Sequence, residues 1–298
     1  MIKIKHLIFI NELEIKITME YNNKYCLLDS GNLQKLEQVG PHRLIRPALN
    51  AFWPPTLATK EWDQAIGLYK RNSSGSGQWS WKKKPPATWI IEHGNISFIV
   101  KPTDFGHLGF FPEQLDNWQW LEKATSDDKE IRALNLFAYS GGSSLAMAQS
   151  NVSVCHVDAA KGMVDWAKNN LLQNKTIPSK IRWITDDVNK FVDKELRRKT
   201  FYQGIVLDPP SFGRGPRGQV WKIEQNLIPL LHCLKKLMGP TPKFMLLSMH
   251  SHGFSPKSLE RILFSIFKTK GNIQSGEMLI AEQTGRKLPA GIFAKWQN

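Results

Sequence analysis

Residues 133–174 read ALNLFAYSGGSSLAMAQSNVSVCHVDAAKGMVDWAKNNLLQN. A short apolar run, ALNLF (133–137), ends in a Gly-Gly loop, and SSLAMAQSN (143–151) follows with apolar residues at helical spacing. VSVCHV (152–157) is a second apolar run ending at Asp158, and KGMVDWAKNNLLQN (161–174) returns to helical spacing. Buried parallel strands read as short continuous apolar runs, whereas half-exposed helices keep one apolar stripe. The same alternation continues downstream. IRWI (181–184) leads to Asp186-Asp187 and a helix from about 188 to 198; GIVL (204–207) leads to DPPSF and a helix over about 223–238. KFMLLSM (243–249) is a fifth strand, and Ser255-Pro256 starts a helix to about 268, with Ser as N-cap and Pro at N1. EMLIAEQ and GIFAKW close the chain as two strands around the loop TGRKLPA. Strands alternating with helices of this length predict a parallel α/β sheet, here with an antiparallel closing strand.

The first hundred residues lack that rhythm. VGPHRLIRPALNAFWPPT (39–56) carries four prolines, which forbid a long helix. NSSGSGQ (72–78) is a flexible loop by composition, and WIIEHGNISFIV (89–100) reads as two short strands about Gly94-Asn95. The division expected is a small, mostly β module over 1–104 and an α/β domain over 105–298. No apolar run reaches the ~18 residues of a membrane span. MIKIKHLIFI lacks the long apolar stretch and cleavage site of a secretory signal. The three cysteines, Cys26, Cys155 and Cys233, have neither zinc nor disulfide-framework spacing, which fits a reducing cytoplasm.

Lys+Arg 40 against Asp+Glu 26 gives a net charge of +14. Such a surface concentrates polyanions, so nucleic acid is the leading partner class. An anionic membrane would attract it too, but no basic amphipathic helix serves one. A soluble protein that is simply basic also fits the charge. WSWKKKPP (79–86) places three lysines beside two tryptophans, a pattern suited to phosphate contact with base stacking and equally to a solvated loop.

Ligands of open α/β sheets bind beyond the C-terminal strand ends, near the point where strand order reverses. The residues there are therefore the candidates. After the first strand, Gly141 and Gly142 allow close backbone approach, and the helix N-terminus beyond them favours an anion. After the second comes Asp158, 17 residues past Gly141, suited to accept both hydroxyl protons of a ribose. Asp187 after the third suits an adenine amino group. Singly, the glycines also read as a tight turn and the two acids as helix N-caps. As an ordered set they fit an adenosine-containing ligand; a nicotinamide dinucleotide would normally show G-x-G-x-x-G, which is absent. After the fourth strand comes Asp208-Pro209-Pro210-Ser211-Phe212. Two prolines end the ladder and stiffen the backbone, leaving a carboxylate and carbonyls at the strand end with an aromatic ring nearby.

That corner resembles the D/N-P-P-aromatic motif of nucleic-acid methyltransferases that use S-adenosylmethionine. LNLFAYSGGSSLAMAQSNVSVCHVDAAKGMVDWAKNNLLQN (134–174), VLDPPSF (206–212), GFFPEQLDNWQW (109–120) and GRKLPAGIFAKW (285–296) together resemble class I methyltransferases of bacterial large-subunit ribosomal RNA, over roughly 100–298. The resemblance implies a Rossmann-like sheet and S-adenosylmethionine as cofactor. It implies that Phe137, Tyr139, Gly141 and Gly142 line the methionine end, with Asn135 behind them. Asp158, with Ala159 beside it, would hold the ribose; Asp187 and Val188 would hold the adenine. Phe111 and Gln114 would close over the cofactor. Asp208, Pro209, Pro210 and Phe212 would form the catalytic corner and base site, fed by ribosomal RNA.

Relatives that methylate cytosine C5 place a Cys just after the fifth strand. LLSMHSHGFS (246–255) contains none, which argues against that chemistry and for direct transfer to a base nitrogen. The SMHSHGF loop is closer to relatives acting on guanine N7; an exocyclic amine is the other fit. His250 and His252 suit a substrate-facing loop or exposed polar filler, and no third metal ligand is placed by spacing.

Overall fold

The apolar runs of the C-terminal region pair as their spacing predicts. The computed structural model describes residues 23–72, 76–126, 130–215, 218–251, 253–268 and 271–298. The N-terminal MIKIKHLIFI, part of NSSGSGQ and His252 lie outside the described residues. The chain divides into two compact units. One holds the chain up to Pro112 together with Ile280–Pro289; the other holds Glu113–Leu279 and Ala290–Asn298.

In the first unit, β1 (Tyr25–Gly31), β2 (Gln34–Val39), β3 (His42–Pro47), β4 (Gly67–Arg71) and β5 (Gly77–Trp81) form one sheet in that order. Only β3 and β4 pair in parallel, and the short helix α1 (Thr59–Trp62) lies in the connection between them. β6 (Trp89–His93) and β7 (Ile96–Val100) form the hairpin expected around Gly94. Two acids are fully buried here, and burial is tolerable only because each is paired. Glu37 accepts from Arg46 Nε at 2.7 Å and from Tyr25 at 2.9 Å. Asp29 accepts from the Thr56 and Leu57 amides and the Trp62 indole, and pairs with Arg286 at 2.6 Å. Trp79 and Trp81 stack with centroids 4.7 Å apart on β5, and Lys83 and Lys84 follow them exposed.

The second unit carries the long sheet, in the order β10 (Ile181–Thr185), β9 (Ser153–Asp158), β8 (Arg132–Leu136), β11 (Gly204–Leu207), β14 (Phe244–Met249), β16 (Lys287–Gln297) and β15 (Asn272–Ala281). β8 to β11 and β14 run parallel, and β16 closes antiparallel on β14. Order runs outward from β8 through β9 to β10, then returns to β11 on the other side, so the switch point lies between β8 and β11. The helices are α2 (Leu115–Ser126), α3 (Gly142–Ala148), α4 (Lys161–Gln173), α5 (Val188–Arg197), α6 (Ile223–Leu237) and α7 (Pro256–Phe267). Ser255 caps α7 as its sequence predicts, in a capping box with Ser258. Leu134, Leu136, Ile205, Leu207 and Leu247 of the sheet meet Phe191 of α5 and Leu231 and Leu234 of α6 in one core.

Several elements differ from the expectation, among them β15, which begins at Asn272, ahead of the EMLIAEQ stretch. β16 begins at Lys287, inside the stretch read as a loop, because the turn is clamped shorter: Glu282 accepts from Thr284 at 2.8 Å and from Arg286 Nε at 2.9 Å. A small hairpin, β12 (Phe212–Arg214) with β13 (Val220–Lys222), follows the Pro-Pro corner where no strand was expected.

Candidate active site

The site grows from the ends of β8, β9, β10 and β11. Past Leu136 the chain turns sharply: Phe137 and Tyr139 adopt positive φ (53° and 49°), as does Gly141 (93°). Left-handed backbone at non-glycine residues costs of order 1–3 kcal/mol each and persists where its surroundings hold it, commonly in functional loops. Asp158 supplies that hold. Its Oδ2 accepts from Tyr139 N–H at 2.9 Å, and its Oδ1 from Ala160 N–H at 2.9 Å. Burial raises the Asp158 carboxyl above the ordinary carboxylate range, against the two amide hydrogen bonds, which lower it.

The two glycines are explained by packing. A Cβ on Gly142 would fall 2.5 Å from the Trp118 indole of α2, and one on Gly141 would fall 3.0 Å from the Ala167 Cβ of α4. Asn135 lies inside β8, donating to Ser144 at 2.9 Å; Ser144 in turn meets His156 Nδ1 at 3.0 Å. Asp187 caps α5 by accepting from Lys190 N–H, with Val188 buried behind it and Ala159 half-buried. One Asp187 oxygen is thereby engaged in the N-cap.

Asp208 stands at the end of β11 with Pro209 buried and Pro210 exposed. Gln114 reaches it from the 3-10 turn before α2: Nε2 donates to Asp208 Oδ2 at 3.3 Å and to Ser248 at 3.0 Å. Asp208 Oδ1 is buried and makes no hydrogen bond among the described residues. His250, after β14, places Nδ1 3.6 Å from that oxygen and Nε2 2.9 Å from buried Glu113. The Ser211 and Ser251 hydroxyls join the two loops at 2.8 Å. Trp221 of β13 ties the corner to the first turn, since its indole donates to the Pro210 carbonyl at 2.7 Å and packs 4.9 Å from the Phe137 ring. Phe212 is half exposed on the hairpin. Phe111 belongs to the first unit, its ring 5.6 Å from that of His107.

The structure thus gathers Phe137, Tyr139, Gly141, Gly142, Asp158, Asp187, Asp208 and His250 at the ends of the strands of one sheet. Glu113, Ser248 and Trp221 were not foreseen. Glu113 stood beside Gln114 in the sequence, but nothing in a Pro-Glu-Gln triplet reveals which carboxylate will be buried. Nothing local marks β13, since Val220-Trp221-Lys222 is only three residues long.

A parallel sheet of this order, with acids at three strand ends and a strained turn at the switch point, defines a nucleotide-type binding protein of the Rossmann-like class. A family model of S-adenosylmethionine-dependent methyltransferases matches residues 53–257, and the chain belongs to that family. The solved S-adenosylmethionine-dependent methyltransferase of Agrobacterium tumefaciens is 34% identical, with 92% of this chain and 90% of that one covered at a TM-score of 0.86. The ribosomal RNA large subunit methyltransferase I of Aeromonas salmonicida is 29% identical over 174 residues, 57% of this chain and 42% of that protein. The ribosomal RNA large subunit methyltransferase K/L of Alteromonas mediterranea is 26% identical over 226 residues, 74% of this chain and 30% of its own length. The chain spans less than half the length of these two curated relatives.

S-adenosylmethionine is the cofactor of this family, and the donor set fits it. An ionised carboxylate offers about four lone-pair sites. Asp158 commits two to backbone amides, Asp187 one, and Asp208 carries a buried oxygen with no hydrogen bond among the described residues. Among the described residues no cluster of three or more His, Cys, Asp or Glu is arranged to hold a metal ion. No described helix is long and apolar enough to cross a membrane.

Proposed function

We propose that this protein methylates a base nitrogen of RNA, in particular ribosomal RNA, without a cysteine nucleophile and in the cytoplasm. The observation that carries the reading is Asp208: a strand-end carboxylate beside two prolines, gripped loosely on Oδ2 and with acceptor capacity unspent on Oδ1. Catalytic hydrogen bonds are often long before substrate arrives. The relatives' names and the +14 charge support RNA as the acceptor.

The cofactor supplies a methyl group already activated on a sulfonium. The chain's own task is to hold and orient two reactants and exclude water. Asp158 accepts from the ribose hydroxyls, and Asp187 with Val188 frames the adenine. The turn from Phe137 to Gly142 receives the amino-acid end, and Gln114 reaches the site through Asp208. Phe111 is assigned to the cofactor by family resemblance. Pro209, Pro210 and Phe212 shape the pocket for a base taken out of its stack. A ring nitrogen such as guanine N7 needs no proton removed; an exocyclic amine donates to Asp208.

The cysteines do not compete for a covalent role. Cys155 lies within β9, its thiol pushed up to about 11, chiefly by burial. Cys233 is in α6, and Cys26 is in the first unit.

Two measurements test the reading. Calorimetry with S-adenosylhomocysteine should show binding that Asp158→Ala abolishes. Transfer of labelled methyl groups to total RNA, compared with protein and metabolite pools, should favour RNA, and mass spectrometry should place the label on a base nitrogen. Label confined to protein or metabolites overturns the RNA assignment; label on a base carbon overturns the nitrogen.

A further inference from the structure

His250 is the residue of the site whose surroundings say most about its charge. Its ring stands between two acids: Nε2 lies 2.9 Å from Glu113 Oε1 and Nδ1 lies 3.6 Å from Asp208 Oδ1. A neutral imidazole has one donor and one acceptor nitrogen, so one of its two faces would oppose a carboxylate. Only the doubly protonated ring satisfies both. The electrostatics agree: burial lowers the His250 pKa, but Asp208 and then Glu113 outweigh it and hold the ring well above its ordinary range. The charged groups facing the ring are Glu113 from the turn before α2 and Asp208 from the end of β11. β16 brings Gly291 against it, without charge. Glu113 is 7% exposed, so it is a fixed counter-charge and not a solvated one.

The adjacent residues of one turn therefore address both Asp208 oxygens: Gln114 donates to Oδ2 at 3.3 Å, and Glu113 holds the His250 ring, whose Nδ1 faces Oδ1 at 3.6 Å, an ion-pair separation and not a hydrogen bond. We propose that His250 is a positioning residue that works as an imidazolium strap, fixing the Asp208 carboxylate at the strand end, and that Glu113 is its charge anchor. This deepens the functional reading above and rests on it. The consequence is electrostatic. Glu113, His250 and Asp208 together carry one net negative charge at the corner where methylation of a neutral nitrogen makes positive charge appear. A fixed, oriented charge of opposite sign at that place favours the transition state over the ground state. As an imidazolium, the His250 ring has no lone pair with which to accept a proton, so in this arrangement it acts by charge and position and not as a base.

The sign with pH follows. The strap exists while His250 is charged and is lost as pH rises through its raised pKa. The imidazole nitrogens of His250, followed by nuclear magnetic resonance in the full chain, should titrate well above 6.5. Glu113→Gln should lower that midpoint by about one unit or more, the shift an opposite charge at this distance produces. In methyl transfer to RNA, kcat should fall on an alkaline limb that moves down by the same amount in E113Q, with the affinity for S-adenosylhomocysteine unchanged. A His250 midpoint at the ordinary value, or one that E113Q leaves in place, overturns the proposal. So does a midpoint that moves while the kcat profile stays superimposed on the parent's, since the pair would then be merely structural. If RNA is not methylated at all, the functional reading fails separately, and the strap is judged by the resonance titration alone. Should E113Q not fold, His250→Gln decides: the alkaline limb should vanish, and its persistence overturns the claim.

Discussion

Gly142 shows how one residue type can carry two meanings. Its spacing after β8 suggests room for a ligand, yet the missing Cβ is where the Trp118 indole lies, 2.5 Å from the position an alanine would fill. Gly142→Ala should therefore destabilise the second unit by about 1–3 kcal/mol, the usual cost of overpacking, measured by denaturant unfolding. Asp158 is the contrasting case. Its carboxylate holds the Tyr139 amide, and with it the left-handed turn, before any ligand arrives. Asp158→Asn should loosen that turn, seen as faster amide hydrogen exchange at Tyr139. Exchange unchanged from the parent would show that the turn is held by other contacts.

At the scale of elements, β2 and β9 each bury an ionisable side chain with its own acid window. The Glu37 carboxyl on β2 is held down at about 2. Burial works to raise it, but Arg46 and Lys35 outweigh that, helped by the Tyr25 hydrogen bond. Its contribution to stability is complete above about 4.5 and is lost as pH falls toward about 2. His156 on β9 is held neutral to about 3, by burial first and the nearby Lys168 second. Its fold-favoured neutral form costs nothing above 6.5 and opposes folding increasingly as pH falls toward about 3. Acid titration followed by tryptophan fluorescence and near-ultraviolet circular dichroism should show the second unit weakening first and the first unit later. Glu37→Gln should remove the later window while leaving the earlier one. The parallel strands and the Ser255 cap were legible because each is written in a local pattern: apolar runs of four to six residues, or a Ser-Pro pair. The triad of Glu113, His250 and Asp208 was not, because its members lie 95 and 42 residues apart and are joined only by sheet order. The β12–β13 hairpin was hidden for a different reason. Three-residue strands are too short for alternation to stand out from a loop.

At the scale of the whole molecule, the +14 charge predicts salt-sensitive binding of a polyanion. Lys83 and Lys84 stand exposed beside the Trp79–Trp81 stack, a placement suited to single-stranded RNA. Replacing both with alanine should reduce the slope of log affinity against log salt by about 1.4, at roughly 0.7 per lost phosphate contact. Fluorescence anisotropy with labelled single-stranded RNA at several salt concentrations measures it. An unchanged slope would place the phosphate contacts elsewhere on the chain.

The clasp between Asp29 and Arg286 bears on how the molecule is made. These partners are separated by 257 residues, and Ile280–Pro289 is counted in the compact unit that the chain begins. The ribosome therefore releases Asp29 long before its guanidinium, which follows 257 residues later. Until then the carboxylate in β1 has only backbone amides and an indole for company. The unit begun first cannot be completed until Glu113–Leu279 of the other has emerged, so a chain stopped at residue 279 should leave both units short of residues they count as their own.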